Sequence, residues 1–221
     1  MRAPTTPQPD LDHLAISVVR GLSLDGPHQA RSGHQGTALS LAPLAHVLFT
    51  RVLKYDATDP AWPDRDRFVL SAGHASILLY AMLYLTGQGL ELDDLKAFRQ
   101  WGSRTPGHPE ARHTAGVEVT TGPLGQGFGN AVGLALAERE LRARFGSQVV
   151  DHHTFAIASD GDLSEGISHE AASWAGHQGL GRLVVVYDDN HITIDGPTEL
   201  ALSDEVQERF AAYGWSTVDL G

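Results

Sequence analysis

Residues 154–197 read TFAIASDGDLSEGISHEAASWAGHQGLGRLVVVYDDNHITIDGP, and this stretch decides the fold. Its two apolar runs, 155–158 (FAIA) and 183–187 (LVVVY), have the composition of strands buried in a parallel sheet. Each run ends in acidic and small polar residues: Ser159-Asp160-Gly161 after the first, Asp188-Asp189-Asn190 after the second. Between them, residues 164–177 have helical spacing, with Ile167, Ala171, Trp174 and Ala175 on one side. The unit is therefore β-α-β. It places the Asp160 carboxylate and the Asn190 amide at the carboxyl ends of neighbouring strands, where open α/β sheets bind ligands.

The chemistry follows from that placement. Asp160 and Asn190 each offer one oxygen to a hard cation. Two protein oxygens plus a carbonyl suit Mg²⁺, which keeps few protein ligands and lets phosphate oxygens complete its octahedron. Gly161 opens the helix, and without a Cβ it lets a phosphate approach backbone N–H groups and the positive helix end. A single Asp-Gly or Asp-Asn is ordinarily a turn. Two such turns, each ending a buried strand and joined by one helix, point to a site for a metal and a diphosphate.

Asp160-Gly161, thirty positions before Asn190, resembles the metal–diphosphate motif of thiamine-diphosphate enzymes. The fuller string, SDGDLSEGISHEAASWAG at 159–176 and DDNHITIDG at 188–196, resembles transketolases specifically. Ser159 stands where that motif usually has Gly, a small residue that still fits a strand end. The resemblance runs from about Leu11 onward. It implies an α/β fold, a mostly parallel sheet flanked by helices, of the thiamine-diphosphate-binding type.

His34, His74 and His108 each follow Gly in a loop, as SGH, AGH and PGH. A lone loop histidine is usually surface, but three in one setting are harder to dismiss. In transketolases the matching histidines line the cavity around the reactive thiazolium carbon. The resemblance gives His34 and His108 contacts to substrate hydroxyls, and His74 a contact to the diphosphate or the substrate. Gln35 stands where Pro is commoner after the first of them. GPLGQGFG at 122–129 invites a dinucleotide reading, but Asn130 occupies the third glycine place and no strand clearly precedes it. The resemblance instead gives Gly122 and Leu124 main-chain contacts to the aminopyrimidine. Glu165 and Glu170 sit where acidic residues favour a helix start. The matching carboxylates of transketolases lie at the subunit interface between two cofactor sites. The metal set implied is Asp160, Asn190 and the Ile192 carbonyl.

Bulk properties bound the rest. The 221 residues carry 16 basic and 27 acidic side chains, a formal charge of −11, with no block of like charge, so nucleic acid is not an expected partner. There is no cysteine, which excludes disulfides, thiolate metal sites and Cys nucleophiles. MRAPTTPQPD lacks the apolar core of a signal peptide, and the apolar run 77–85 is too short to span a bilayer. The expectation is a cytoplasmic protein without a membrane partner.

Along the chain, residues 1–10 read as a disordered tail and 11–221 as one diphosphate-binding domain, incomplete at its C-terminal side. Asp10 caps a helix expected to reach Leu24 and stop at Gly26. Further helices are expected over 40–54, from the turn at 71–74 to about Gly87, over 92–101 and over 130–145. A last one begins at Ser203 and ends at Gly214. Residues 67–70 read as a short strand and 215–218 as the start of another. Residues 103–129 lack periodicity, and so long a loop inside a domain is usually functional. His152, His153 and His177 read as surface residues.

The resemblance implies thiamine diphosphate with Mg²⁺ or Ca²⁺, and transfer of a two-carbon ketol unit from a ketose phosphate to an aldose phosphate in the pentose phosphate pathway. It also implies sugar phosphate substrates and a homodimer in the full-length protein. The site is completed by a second subunit or a pyrimidine-binding domain. Three alternatives stand beside this: a split or truncated transketolase, a dihydroxyacetone synthase, and a non-catalytic assembly module that keeps only the fold.

Overall fold

The computed structural model describes residues 10–193 and 196–220. The tail expected at 1–10 lies almost wholly outside the described residues. α1 (Leu11–Ala30) starts at the Asp10 cap, whose side chain accepts from the Asp12 N–H at 3.0 Å. It runs past the stop expected at Gly26. That glycine is used for packing, since a Cβ there would lie 2.8 Å from Ile77 Cδ1. The helix ends instead at Arg31, in the left-handed region with φ 51°.

A separate short helix, α2 (Gly36–Ser40), precedes the single helix expected over 40–54, which is α3 (Ala42–Val47) followed by a π-helical turn (Leu48–Val52). Leu41 leaves helical geometry between the first two, and Pro43 then sits in the first turn of α3, where its missing N–H costs nothing. β1 (Arg67–Leu70) leads through a 3₁₀ turn (Gly73–Ala75) into α4 (Ser76–Leu85), buried along its first eight residues. α5 (Leu92–Lys96) is closed by a capping box from Glu91 and Asp94 and stops well short of Trp101. It leaves helical geometry at the Ala97 cap, and Arg99 then turns left-handed at φ 61°. α6 (Gln126–Phe145) starts four residues before Asn130.

β2 (Thr154–Ser159), α7 (Asp160–Ser164), α8 (Gly166–Gln178) and β3 (Leu183–Asp188) make the β-α-β unit. Its helix is broken in two at Glu165, which is extended at φ −66° and ψ 141°. A short hairpin of β4 (Ile192–Thr193) and β5 (Gly196–Pro197) follows, then α9 (Val206–Ala212). Residues 215–218 form no strand. Trp215 instead donates its indole N–H to the Ala172 carbonyl at 2.9 Å, and its ring packs 5.2 Å from that of Phe210. Satisfying that buried indole fixes the chain against α8 and α9.

The three main strands are parallel in the order β1-β2-β3. β2 is buried throughout, and its alternation feeds two cores. Phe155 and Ile157 face Val19, Leu48 and Tyr80, while Ala156 and Ala158 face Phe128, Leu163 and Ala172. Helices thus cover both faces, as a parallel sheet requires. β3, expected to be equally buried, has Val184 40 % exposed, because among the described strands it pairs with β2 alone.

α8 buries Ser168, Ala172 and Ala175 and leaves Ile167 and Trp174 partly exposed. Its small residues make the buried face, while Ile167 reaches only the start of α6, at Gly125 and Gly129. His152 is not a surface residue: it is 3 % exposed, with Nδ1 3.1 Å from Asp64. Among the described residues no helix is long and apolar enough to cross a membrane.

Candidate functional site

The strand order brings three chain reversals into one row. His74 follows β1, Asp160 follows β2, and Asn190 follows β3. The register pairs Ser159 with Asp188, so the two turns after β2 and β3 leave the sheet side by side.

Asp160 is the hub. It is buried, and its Oδ2 accepts from the backbone N–H of Asn190 at 3.2 Å and of His191 at 2.9 Å. The Tyr187 hydroxyl donates to Oδ1 and also reaches Asp189 Oδ1 at 3.1 Å. The Asn190 amide group donates to Asp188 Oδ2 at 2.8 Å, and its oxygen accepts from Ile192 N–H at 3.1 Å. The Asp160 carboxylate thus holds the backbone of the turn after β3, and the Asn190 amide in turn holds the Ile192 N–H. Burial, together with the nearby Asp160 and Asp189 charges, pushes the Asp188 carboxyl above its usual range. Burial and then Asp160 do the same to the Tyr187 phenol.

Such an acid-rich turn favours a cation. Among the described residues no three His, Asp or Glu side chains are grouped to hold a metal by themselves. One carboxylate, one amide oxygen and one carbonyl fit a hard divalent cation whose remaining ligands come from phosphate. Glycines beside it let backbone and side chains from separate segments approach closely. Gly161 opens α7, and a Cβ there would stand 3.2 Å from Leu124 Cδ1. Gly122 has φ 144° and lies so close to the His108 ring that a Cβ would meet it at 3.1 Å. The residues present therefore fit a metal–diphosphate group.

The histidines converge. The rings of His34 and His74 are 5.3 Å apart and meet edge to face, and His74 Nε2 lies 3.4 Å from the Thr37 hydroxyl. Burial, then His34 and His108, hold the His74 imidazole below its ordinary pKa. Burial, then Arg99 and His34, do the same for His108. Neutral imidazoles offer one donor and one acceptor each, which suits neighbouring hydroxyls of a sugar. Glu165 and Glu170 are exposed on the α7–α8 side and form no hydrogen bond or ion pair with this cluster. Glu165 packs its Cβ near Gly125, and burial, with a smaller contribution from the Glu165 charge, pushes the Asp162 carboxyl above its usual range.

Two residues absent from the expectation stand at the site. Arg99, read as part of an amphipathic helix, donates to the Ser32 hydroxyl at 2.9 Å and to the Gly107 carbonyl at 3.4 Å. Its Nε is buried without a partner, beside His108. No spacing announces it, because it lies in the turn after α5, where its left-handed backbone follows no helical period. Asp162, read only as a letter of the motif, is fully buried and accepts from Gly125 N–H at 2.6 Å.

Comparison with known proteins gives the same picture from outside. The family described as "Transketolase, thiamine diphosphate binding domain" matches residues 11–220. Staphylococcus aureus transketolase is 57 % identical over 208 residues, 93 % of this chain and 31 % of that protein. Chloroplastic transketolase-1 of Arabidopsis thaliana is 54 % identical over 219 residues, 97 % of this chain and 29 % of that one. The structure of Leishmania mexicana transketolase superposes with a TM-score of 0.90 at 50 % identity, covering 92 % of this chain and 31 % of that chain. A Pichia stipitis transketolase in complex with sedoheptulose 7-phosphate gives 0.90 at 50 % identity, over 93 % and 31 %. The chain thus spans about three-tenths of the length of the relatives it matches. With its site built at three strand ends and a match that runs through nearly every residue, the chain belongs to the transketolase thiamine diphosphate-binding domain family.

Proposed function

We propose that this chain is the cofactor- and metal-binding portion of a transketolase. Its reaction moves a two-carbon ketol unit from a ketose phosphate such as xylulose 5-phosphate to an aldose phosphate such as ribose 5-phosphate. The observation that carries the reading is Asp160, a buried carboxylate at the end of β2 that gathers the N–H groups of Asn190 and His191 at the end of β3. Support also comes from the relatives, which are named as transketolases, one of them in complex with a sugar phosphate.

Thiamine diphosphate, when bound, supplies the nucleophilic carbon and the electron sink for the ketol unit. Asp160, Asn190 and the Ile192 carbonyl hold Mg²⁺ or Ca²⁺, and Gly161 leaves its backbone open to the diphosphate. Gly122 and Leu124 present main chain to the aminopyrimidine. His74 stands between the diphosphate turn and the sugar. His34, His74 and His108 orient the sugar hydroxyls and hold or move protons at their ring nitrogens. Arg99 adds a fixed cation beside His108 for an anionic end of the substrate. Residues 11–221 act as one diphosphate-binding domain. Glu165 and Glu170 face a second subunit of a homodimer, and that subunit or a pyrimidine-binding domain completes the site. The activity belongs to the pentose phosphate pathway of the cytoplasm.

Calorimetric titration of thiamine diphosphate, with and without Mg²⁺, on this chain joined to the domains that complete the site tests this directly. Asp160→Ala is expected to abolish the metal-dependent part of binding. Wild-type affinity in that variant would refute the assignment.

A further inference from the structure

Asp162 is a costly residue for its place. It lies two positions past Asp160 in α7 and is wholly buried. One of its carboxyl oxygens, Oδ2, makes no hydrogen bond of normal geometry, with the buried Ser71 hydroxyl as the side-chain donor beside the carboxyl. An apolar side chain would fill the same space without the loss of hydration. What the carboxyl supplies is an acceptor at 2.6 Å for the N–H of Gly125. Gly125 is the N-cap of α6, sits at φ 78° and receives no side-chain cap of its own. Ser168 Oγ donates to the Asp162 main-chain oxygen at 2.7 Å, which ties α8 into the same point.

The bond reaches the cleft through the loop it holds. A Cβ on Gly125 would stand 2.6 Å from Ile167 and 2.8 Å from Glu165, so this loop is drawn tightly onto the α7–α8 junction. Leu124, one residue before, touches Gly161 of the diphosphate turn, and Gly122 touches the His108 ring. The loop 122–125 is therefore the wall opposite the Asp160–Gly161 turn. We propose that Asp162 is a positioning residue that clamps this loop to the diphosphate turn through Gly125 and so sets the width of the cofactor cleft. The role rests on the cofactor reading above.

The test uses Asp162→Ala and Asp162→Leu, which remove the acceptor, and Asp162→Asn, which keeps it. Three quantities are read: the melting temperature, amide hydrogen exchange over residues 122–126, and calorimetric affinity for thiamine diphosphate with Mg²⁺. Loss of the acceptor is expected to expose the Gly125 amide to exchange and to weaken the cofactor about tenfold. Asp162→Asn is expected to retain both at the wild-type level. A purely structural role would lower the melting temperature and leave the affinity of the folded variant unchanged, and that result overturns the proposal. If neither acceptor-free variant folds, an Asp162→Asn protein with weakened binding overturns it equally. With the pyrimidine-binding portion that completes the site present in every titration, a wild-type protein that binds no thiamine diphosphate overturns the functional reading and this role with it. Equal affinity in wild type and folded Asp162→Ala overturns the role alone.

Discussion

Gly73→Ala should damage both stability and cofactor binding, for a reason visible at one contact. Gly73 opens the turn that carries His74. A Cβ built there would lie 2.6 Å from Thr121 Oγ1, 2.7 Å from the Gly122 backbone nitrogen and 3.0 Å from the Thr121 carbonyl carbon. Ordinary contact begins near 3.4 Å, so the Thr121–Gly122 backbone must retreat by about 0.7 Å. Thr121 is itself buried and cannot swing aside into solvent. Gly73 is not at positive φ, so alanine adds no backbone strain, and the cost is steric alone. Forcing one methyl into a packed site costs about 1–3 kcal/mol. For a chain of this length that lowers the melting temperature by about 2–12 °C. The displaced backbone is the same one that touches His108, so affinity for thiamine diphosphate should fall with it. Gly21→Ala is the control. It lies inside α1 with nothing within 4 Å of its would-be Cβ, and removal of a mid-helix glycine should stabilise by about 0.5–1 kcal/mol. Thermal melts followed by circular dichroism, with calorimetric titration of the cofactor, read both effects. A Gly73→Ala protein with wild-type melting and wild-type affinity would refute the packing argument.

Two predictions concern protons. Burial raises the Asp64 pKa, but Lys54, the Asp151 N–H and His152 outweigh it and bring the carboxyl down to about 2. A depressed carboxylate stabilises above its unfolded value near 4 and loses that contribution as pH falls toward 2. Asp64→Asn should thus cost about 1 kcal/mol at neutral pH, reduced by the exposure of Lys54, and flatten the melting profile between pH 4 and 2; an unchanged acid limb in melts across that window counts against the pairing. The second concerns His74 and His108, whose imidazoles are held below their ordinary value, so that both are neutral at pH 7 and their burial disfavours folding only as pH drops under about 6.5. Imidazole resonances followed by NMR should titrate below the ordinary histidine value of about 6.5, and either one titrating above it would contradict the environment described.

The local physics of the chain was legible without coordinates. Alternating and continuous apolar runs depend only on neighbours two to four positions away, and they place β1, β2, β3, α4 and the long α6 to within a few residues. The acid-rich turns after β2 and β3, and the glycines beside His34, His74 and His108, are likewise local features that stood out by residue type. Helix ends were harder. Gly26, a stop signal by composition, is spent on contact with Ile77, and Glu165 breaks a helix whose spacing runs on past it.

What only the tertiary structure decided is where polar groups lost their water. His152 looks like surface until Asp64 arrives from 88 positions earlier to bond it. Arg99 joins His108 from the left-handed turn that follows α5, and Asp162 meets Gly125 across 37 positions. Amphipathic spacing names the apolar side of a helix, but α8 packs on its small residues and leaves Trp174 partly exposed, since close approach of α6 was worth more there than a larger side chain. Periodicity is set by the geometry of one element, and sequence carries it in full. The burial of a charge, and hence its chemistry, is set by segments far apart in the chain, and folding alone brings those together.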